Sequence, residues 1–359
     1  MLENPPQVHE VTGGVDTHVD THTVAALDEM GRLLDCQTFP ATAAGYTLLL
    51  TWLSAFGRVV AVGIEGTGSY GAGLARYLTR NAVQIIEVDR QDRRARRKHG
   101  KSDPVDAVAA ARAVQAGTAT GTPKSRDRVV ESIRALRVAR NGAVKAHTAS
   151  MNALRQVIIT APEQLREQLA GHSSKALVDT CAKLRPGNLS EPTQGAKQAL
   201  RRLARRCQML AEEITAADAD LTALITQTAP RLIEQFGVGP EVPGQLLITA
   251  GDNPARLRSE ASFAALCGTS PLPASSGRTN RHRLNRGGDR AANSALHRVV
   301  IVRMRYHQPT RDYVERRTAE GLSKRDIIRC LKRYVARELL PQIREALASP
   351  DPKPQPIAA

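Results

Sequence analysis

"VTGGVDTHVDTHTVAALDEMG", residues 11–31, places a carboxylate, Asp16, in an apolar strand pattern. Val11 and Val15 alternate with Thr12 and Asp16, and a second apolar run, Val24 to Leu27, follows after a polar break. Period-two alternation bounded by turn residues reads as paired strands. A buried carboxylate costs several kcal/mol unless something compensates it, on the order of 2–7 kcal/mol for a polar group alone. What compensates Asp16 decides how the rest of the chain is read.

Working outward, residues 11–18, 22–29 and 33–39 read as three short strands, with "DEMGR" as a turn between the last two. A helix is expected over 42–56. The continuous apolar run "VVAVGIE", 59–65, reads as a strand covered on both faces. A helix over 69–80, a strand over 83–88, a basic helical stretch and a helix over 103–117 complete the region. The order βββ-α-β-α-β-α is that of a ribonuclease-H-like α/β domain, expected over residues 10–120.

That order supplies company for Asp16. Glu65 closes the fourth strand, and Asp103 and Asp106 lie in "KSDPVDA". Pro104 suits a first helical turn, and the i, i+3 spacing puts both aspartates on one helix face. In this sheet the middle of the first strand, where Asp16 is expected, and the end of the fourth are neighbours and the last helix crosses them, so the four acids converge. Like charges brought together repel, and burial strengthens the repulsion. A divalent cation resolves it: Mg²⁺ prefers hard oxygen ligands, and two ions roughly 3.5–4 Å apart can clamp both oxygens of a phosphoryl transfer. Taken singly, Asp103 reads as a helix cap and Asp106 as a solvated residue. His18 and His22 invite a zinc reading, but i, i+4 does not share a face on a strand.

Charge points to the substrate class. The 359 residues carry 51 Lys and Arg against 35 Asp and Glu, a net charge of +16. Residues 90–101 hold seven basic residues and one acid, and residues 278–305 hold eight and one. Such Arg-rich clusters suit phosphate backbones. Arg93, Arg94, Arg96, Arg97, Lys98 and Lys101, with Arg278, Arg281, Arg283 and Arg286, are the expected nucleic-acid contacts. Five scattered cysteines without a CxxC pair read as reduced packing residues. No eighteen-residue apolar run and no signal-peptide pattern occur, so a soluble cytoplasmic protein with no membrane partner is expected.

The middle of the chain reads as a helical spacer over 121–230, with a loop-rich connection at 161–195. Leu200, Leu203, Cys207, Leu210, Ile214, Ala217, Leu221 and Leu224 step by three and four, a coiled-coil seam. It can pair between chains or fold back on the preceding helix. A mainly α unit is expected over 231–346 and a Pro-rich disordered tail over 347–359. Within that unit, "ASSGRTNRHRLNR", 274–286, sets Ser275, Ser276 and Gly277 before a basic run. Arginines can hold a phosphodiester while charge develops on it. By composition alone "SSG" reads as a flexible turn, and "GVGP", 237–240, reads equally as a phosphate-facing nest or a plain turn.

The ordered set "GVDTHVDTH", "GIEGTGSYG", "KSDPVDA", "GVGP", "ITAGD", "FAALCGTSP", "SSG" and "RGGDRAAN" resembles the IS110 family of insertion-sequence transposases along nearly the whole chain. The resemblance implies a RuvC-like DEDD domain using Asp16, Glu65, Asp103 and Asp106 with Mg²⁺. It also implies a C-terminal transposase domain whose serine, matched here by Ser276, forms a covalent link to DNA. It further implies donor and target DNA as substrates, a structured guide (bridge) RNA as partner, and dimers pairing into tetramers in which the acids of one subunit complete the serine site of another. Two departures stand out. The double serine leaves Ser275 beside Ser276, with the family's Ser-Gly pattern selecting Ser276. The helix after the glycine pair reads "AANSALH", 291–297, where many members carry basic residues. The reading of a different class is a metal-dependent, structure-specific nuclease that makes no covalent intermediate.

Overall fold

Five strands and three helices build the first part of the structure, a computed structural model describing residues 9–88, 102–253, 257–278 and 282–349. In chain order they are β1 (Glu10–Thr17), β2 (Thr21–Leu27), β3 (Leu33–Pro40), α1 (Ala43–Ala55), β4 (Arg58–Glu65), α2 (Ala72–Arg80), β5 (Ile85–Val88) and α3 (Asp103–Gln115). The sheet order is β3-β2-β1-β4-β5. β1 pairs antiparallel with β2 and parallel with β4, and β4 runs parallel to β5. This mixed sheet agrees with the ribonuclease-H-like expectation. The expected basic helical stretch, with Arg93, Arg94, Arg96, Arg97, Lys98 and Lys101, lies outside the described residues.

Strand alternation gives each face its partner. Val11, Val15, Val24, Val62 and Ile64 join Leu49 and Leu53 of α1 and Leu74 and Leu78 of α2 in one core. The opposite face receives α3. A Cβ on Gly14 would lie 2.1 Å from the Ala107 carbonyl oxygen, and one on Gly63 would lie 2.8 Å from that of Ala110. Glycine in the strands and alanine in the helix therefore let backbone rest on backbone. At the far end of α3, Gln115 Nε2 donates to Thr12 Oγ1 at 3.2 Å and to the Asp28 carbonyl at 2.8 Å. The helix is seated along its whole length.

The chain divides into two compact units, the first being Met1–Arg128 with Ala250–Arg256 and the second Val129–Thr249 with Leu257–Ala359. The second is built from helices α4 (Val129–Ile159), α5 (Glu163–Leu169), α6 (Ser174–Ala182), α7 (Pro192–Thr228), α8 (Pro230–Ile233), α9 (Glu241–Ala250) and α10 (Glu260–Leu266). A two-stranded ribbon, β6 (Leu272–Pro273) with β7 (His282–Arg283), precedes α11 (Arg290–Tyr306), α12 (Gln308–Ala319) and α13 (Lys324–Ala348).

Within the chain the heptad seam folds back on α4. Leu200, Cys207, Leu210 and Leu221 are buried, while Leu203, Ile214, Ala217 and Leu224 stay half-exposed. Met151 and Leu154 share a core with Leu200 and Ala204, and Arg140 pairs with Asp218 at 2.7 Å, so the two helices run antiparallel. The region 161–195 holds two short helices rather than loop alone: Leu165, Leu169, Leu177 and Cys181 bury there, and that burial orders it. Likewise α13 runs on to Ala348 with Leu347 buried, two residues into the expected tail; residues 350–359 lie outside the described residues.

Candidate metal centre and serine hairpin

Asp16 lies one residue from the end of β1, not at the strand's centre. The chain turns back immediately, with His18 N donating to the Thr21 carbonyl at 2.9 Å. Alternation puts Asp16 on the α3 face with Thr12 and Gly14. It likewise puts Glu65, two residues after Gly63, on that face of the neighbouring strand, where Val15 is in register with Ile64. Thr17 Oγ1 donates to the Glu65 carbonyl at 2.8 Å, tying the two strand ends together. Both strands are parallel, so both acids stand at their carboxyl ends, the usual side for ligands of open α/β sheets.

Helix α3 delivers the other pair. Ser102 is its N-cap residue, so Asp103 is the first helical residue rather than the cap. Asp106 is 3% exposed, and its N–H donates to the Ser102 carbonyl at 3.1 Å. Burial pushes the Asp16 carboxyl above its ordinary 3.8; His18 works against that shift, while Asp103 and Asp106 add to it. Asp16, Asp103 and Asp106 are thus near enough for their charges to be felt at Asp16.

His18 belongs to this site, and sequence reasoning discounted it. Its Nε2 lies 3.3 Å from Asp16 Oδ2 and 3.3 Å from Asp103 Oδ1. Asp16, His18 and Asp103 offer ligand atoms within 4.8 Å of one another. The available signal was the i, i+2 spacing from Asp16, which shares a strand face. His22 goes to the opposite face, buried and stacked on Tyr46 with ring centroids 5.7 Å apart, and burial lowers its pKa. Hard carboxylate oxygens, partly buried and mutually repelling, fit a divalent cation. Bound there, such an ion would neutralise charge on a phosphate and polarise it toward attack.

In the second unit, Ser275, Ser276 and Gly277 are exposed in the segment between β6 and β7, of which residues 279–281 lie outside the described residues. The base of this hairpin is pinned. A Cβ on Gly288 would lie 2.2 Å from the Gly268 nitrogen, so the two ends of the excursion touch backbone to backbone. Asn293 Nδ2 donates to the Cys267 and Gly268 carbonyls at 2.9 and 3.1 Å, and the buried Lys332 donates to Asn293 Oδ1 at 2.8 Å. Asp289 caps α11 and accepts from Thr249 Oγ1 at 2.7 Å. "AANSALH" is therefore a core-facing segment: Ala292, Ala295 and Leu296 are fully buried. Arg278, Arg283 and Arg286 are exposed around the hairpin, and Arg281 lies outside the described residues. "GVGP" forms a turn into α9, with Val242 N donating to the Gly239 carbonyl at 3.0 Å.

A strongly basic chain with a ribonuclease-H-like sheet and a carboxylate centre at its strand ends has the make-up of a nucleic-acid enzyme of the DEDD class. The comparisons with known families are more specific. A family model of DEDD type, described as "Transposase", matches residues 13–161, and the model "Transposase IS116/IS110/IS902 family" matches residues 229–315. Together they span more than half of the chain, which belongs to this family of transposases, enzymes that act on DNA. A comparison with curated proteins finds no match. Among the described residues no helix is long and apolar enough to cross a membrane.

Proposed function

We propose that the protein is an RNA-guided DNA recombinase that cuts and rejoins strands through a covalent Ser276–DNA intermediate. The observation that carries this reading is the setting of Ser276: solvent-exposed, within a hairpin whose base is held by Asn293, with exposed Arg278 two residues on and exposed Arg283 on the returning strand. A loop serving only as a connection needs no such anchorage. Asp16, Glu65, Asp103 and Asp106 are the residues that hold Mg²⁺. Ser276 Oγ attacks the scissile phosphorus, forming a Ser–O–P bond as the P–O bond to the leaving strand breaks. The serine proton is released and the departing oxygen is protonated, so the number of phosphodiester linkages is conserved. Attack by a strand hydroxyl of the second DNA reverses the step and restores the serine. Arg278, Arg281, Arg283 and Arg286 neutralise the charge that develops. A structured guide RNA selects the DNA, subunits assemble as dimers and tetramers through the α4–α7 helices, and the acids of one subunit serve the serine of another. The three-part division at about residues 120 and 230 is retained as the functional organisation.

The test is an adduct trap. Protein, its flanking RNA, donor and target DNA and Mg²⁺ are incubated and run on a denaturing gel. A shifted protein–DNA band that is lost in Ser276→Ala and Asp103→Ala, and kept in Ser275→Ala, is expected. Cut DNA with no shifted band, indifferent to Ser276→Ala, overturns the mechanism and leaves a nuclease.

A further inference from the structure

The segment that leads into and along α7 reverses its charge along its length. Residues 183–206 hold seven basic residues and one acid, whereas residues 207–228 hold four acids and no basic residue. Charges kept for solubility mix both signs; these are segregated. The basic half lies at the tip of the α4–α7 arm, where α5 and α6 close over the helix ends around a core of Met151, Leu154, Leu165, Leu177, Cys181 and Leu200. The tip is thus a built lobe. By helix rise, Lys197 stands about 45 Å up α7 from its end at Thr228.

A cavity on this lobe is lined by Lys183, Arg185 and Lys197, with Asp179 as its one acid. Asp179 is already engaged by Gln208 Nε2 at 3.1 Å. Among the described residues no ion pair is formed by Lys183, Arg185, Lys197, Arg201 or Arg205, and the buried Nε of Arg201 has no hydrogen-bond partner. Several arginines of α11 and α13 differ in this respect: Arg303 pairs with Glu338, Arg329 with Asp326, and Arg333 and Arg337 with Glu260. Lys197, Arg201 and Arg205 follow one another at i, i+4 along one flank of α7. Their spacing is about 6 Å, near the roughly 6.8 Å rise of two nucleotides in duplex DNA. No Phe, Tyr or Trp occurs between Tyr77 and Phe236, and the cavity's one aromatic ring is the small imidazole of His172, so the lobe has no large platform on which bases could stack.

Uncompensated cations without Phe, Tyr or Trp suit a phosphate backbone read without regard to sequence. We infer that the tip of the α4–α7 arm is a duplex-DNA holding site that grips phosphates through Lys183, Arg185, Lys197 and Arg201. The inference rests on the family's action on DNA and not on Ser276 chemistry.

The full-length protein is titrated into a labelled duplex of arbitrary sequence between 50 and 200 mM salt, as wild type and as the Lys183→Ala, Arg185→Ala, Lys197→Ala triple variant. Three lost phosphate contacts should lower the slope of log K against log[salt] by about 2.7, and weaken binding about a hundredfold near 0.15 M salt. An unchanged slope overturns the site. In parallel, lysine acetylation of wild-type protein should show Lys183 and Lys197 protected by the duplex; their full reactivity in the complex overturns it even if the variant misfolds. Protection by an RNA duplex but not by DNA overturns the DNA assignment. The Ser276→Ala protein should bind as wild type does, which keeps this result separate from the adduct test.

Discussion

Replacing Gly14 by alanine tests how α3 is seated. The new methyl would lie 2.1 Å from the Ala107 carbonyl oxygen, 2.3 Å from the Ala111 nitrogen and 2.8 Å from the Ala111 methyl, where ordinary contact begins near 3.4 Å. Two of these are backbone atoms and cannot rotate away, so the helix has to lift by about 1.3 Å or the strand has to bow. Overpacking of this severity costs about 3 kcal/mol. The same displacement draws Asp103 and Asp106 off Asp16 and weakens divalent-cation binding. Trp52, the one tryptophan, sits on α1 against Phe39 and Phe56, so its fluorescence reports unfolding of the first unit. With a urea slope of about 1.5 kcal/mol per molar, the Trp52 midpoint should fall by about 2 M. Gly142→Ala is the control. It lies on α4 with no atom within 4 Å of the added methyl, and alanine there should stabilise the second unit by about 0.5–1 kcal/mol while leaving the Trp52 transition in place. A Gly14→Ala midpoint within about 0.3 M of wild type would refute backbone-on-backbone seating.

Asp16 has a pKa raised in the folded state, so the stability it contributes is complete below 3.8 and lost as pH rises through the folded value. Asp16→Asn should therefore melt higher than wild type at pH 7 without metal, and the gap should close in acid; a less stable variant at pH 7 would sink this account. Divalent cation at a hundred times its Kd should stabilise wild type by about 2.7 kcal/mol and the variant far less, read by Trp52 melts. Asn293→Ala removes two bonds to the hairpin base and leaves the Lys332 ammonium buried without its acceptor. A loss of about 3 kcal/mol in a far-UV melt is expected, and a change below about 0.5 kcal/mol would show that the hairpin base is not held this way.

Much of the first unit was legible because its periods are clean. Alternation marked β1, apolar runs marked β2 and β4, and the i, i+3 aspartates flanking a proline marked the start of α3. His18 was discounted because it was weighed with His22 as a pair at i, i+4, when the informative spacing was i, i+2 from Asp16. Residues 161–195 read as loop because Pro, Gly and Ser punctuate them. The leucines that order α5 and α6 acquire partners from α4 and α7, and that pairing has no local signature. The heptad seam was visible, but which surface covers it was not, since a seam specifies a complementary stripe and not its owner.

By itself the sequence determined the element order of the first unit, the identity of its acids, the basic character of the chain and the ordered motifs of a transposase family. These are properties of local pattern and composition. The tertiary structure decided where those residues meet. Gly14 and Gly63 admit α3 closely enough to bring Asp103 to His18 and Asp16, Asn293 turns a serine-glycine loop into an anchored hairpin, and the folded arm gathers unpaired cations at its tip. Such outcomes depend on contacts between residues far apart in the chain, whose energies no single stretch contains.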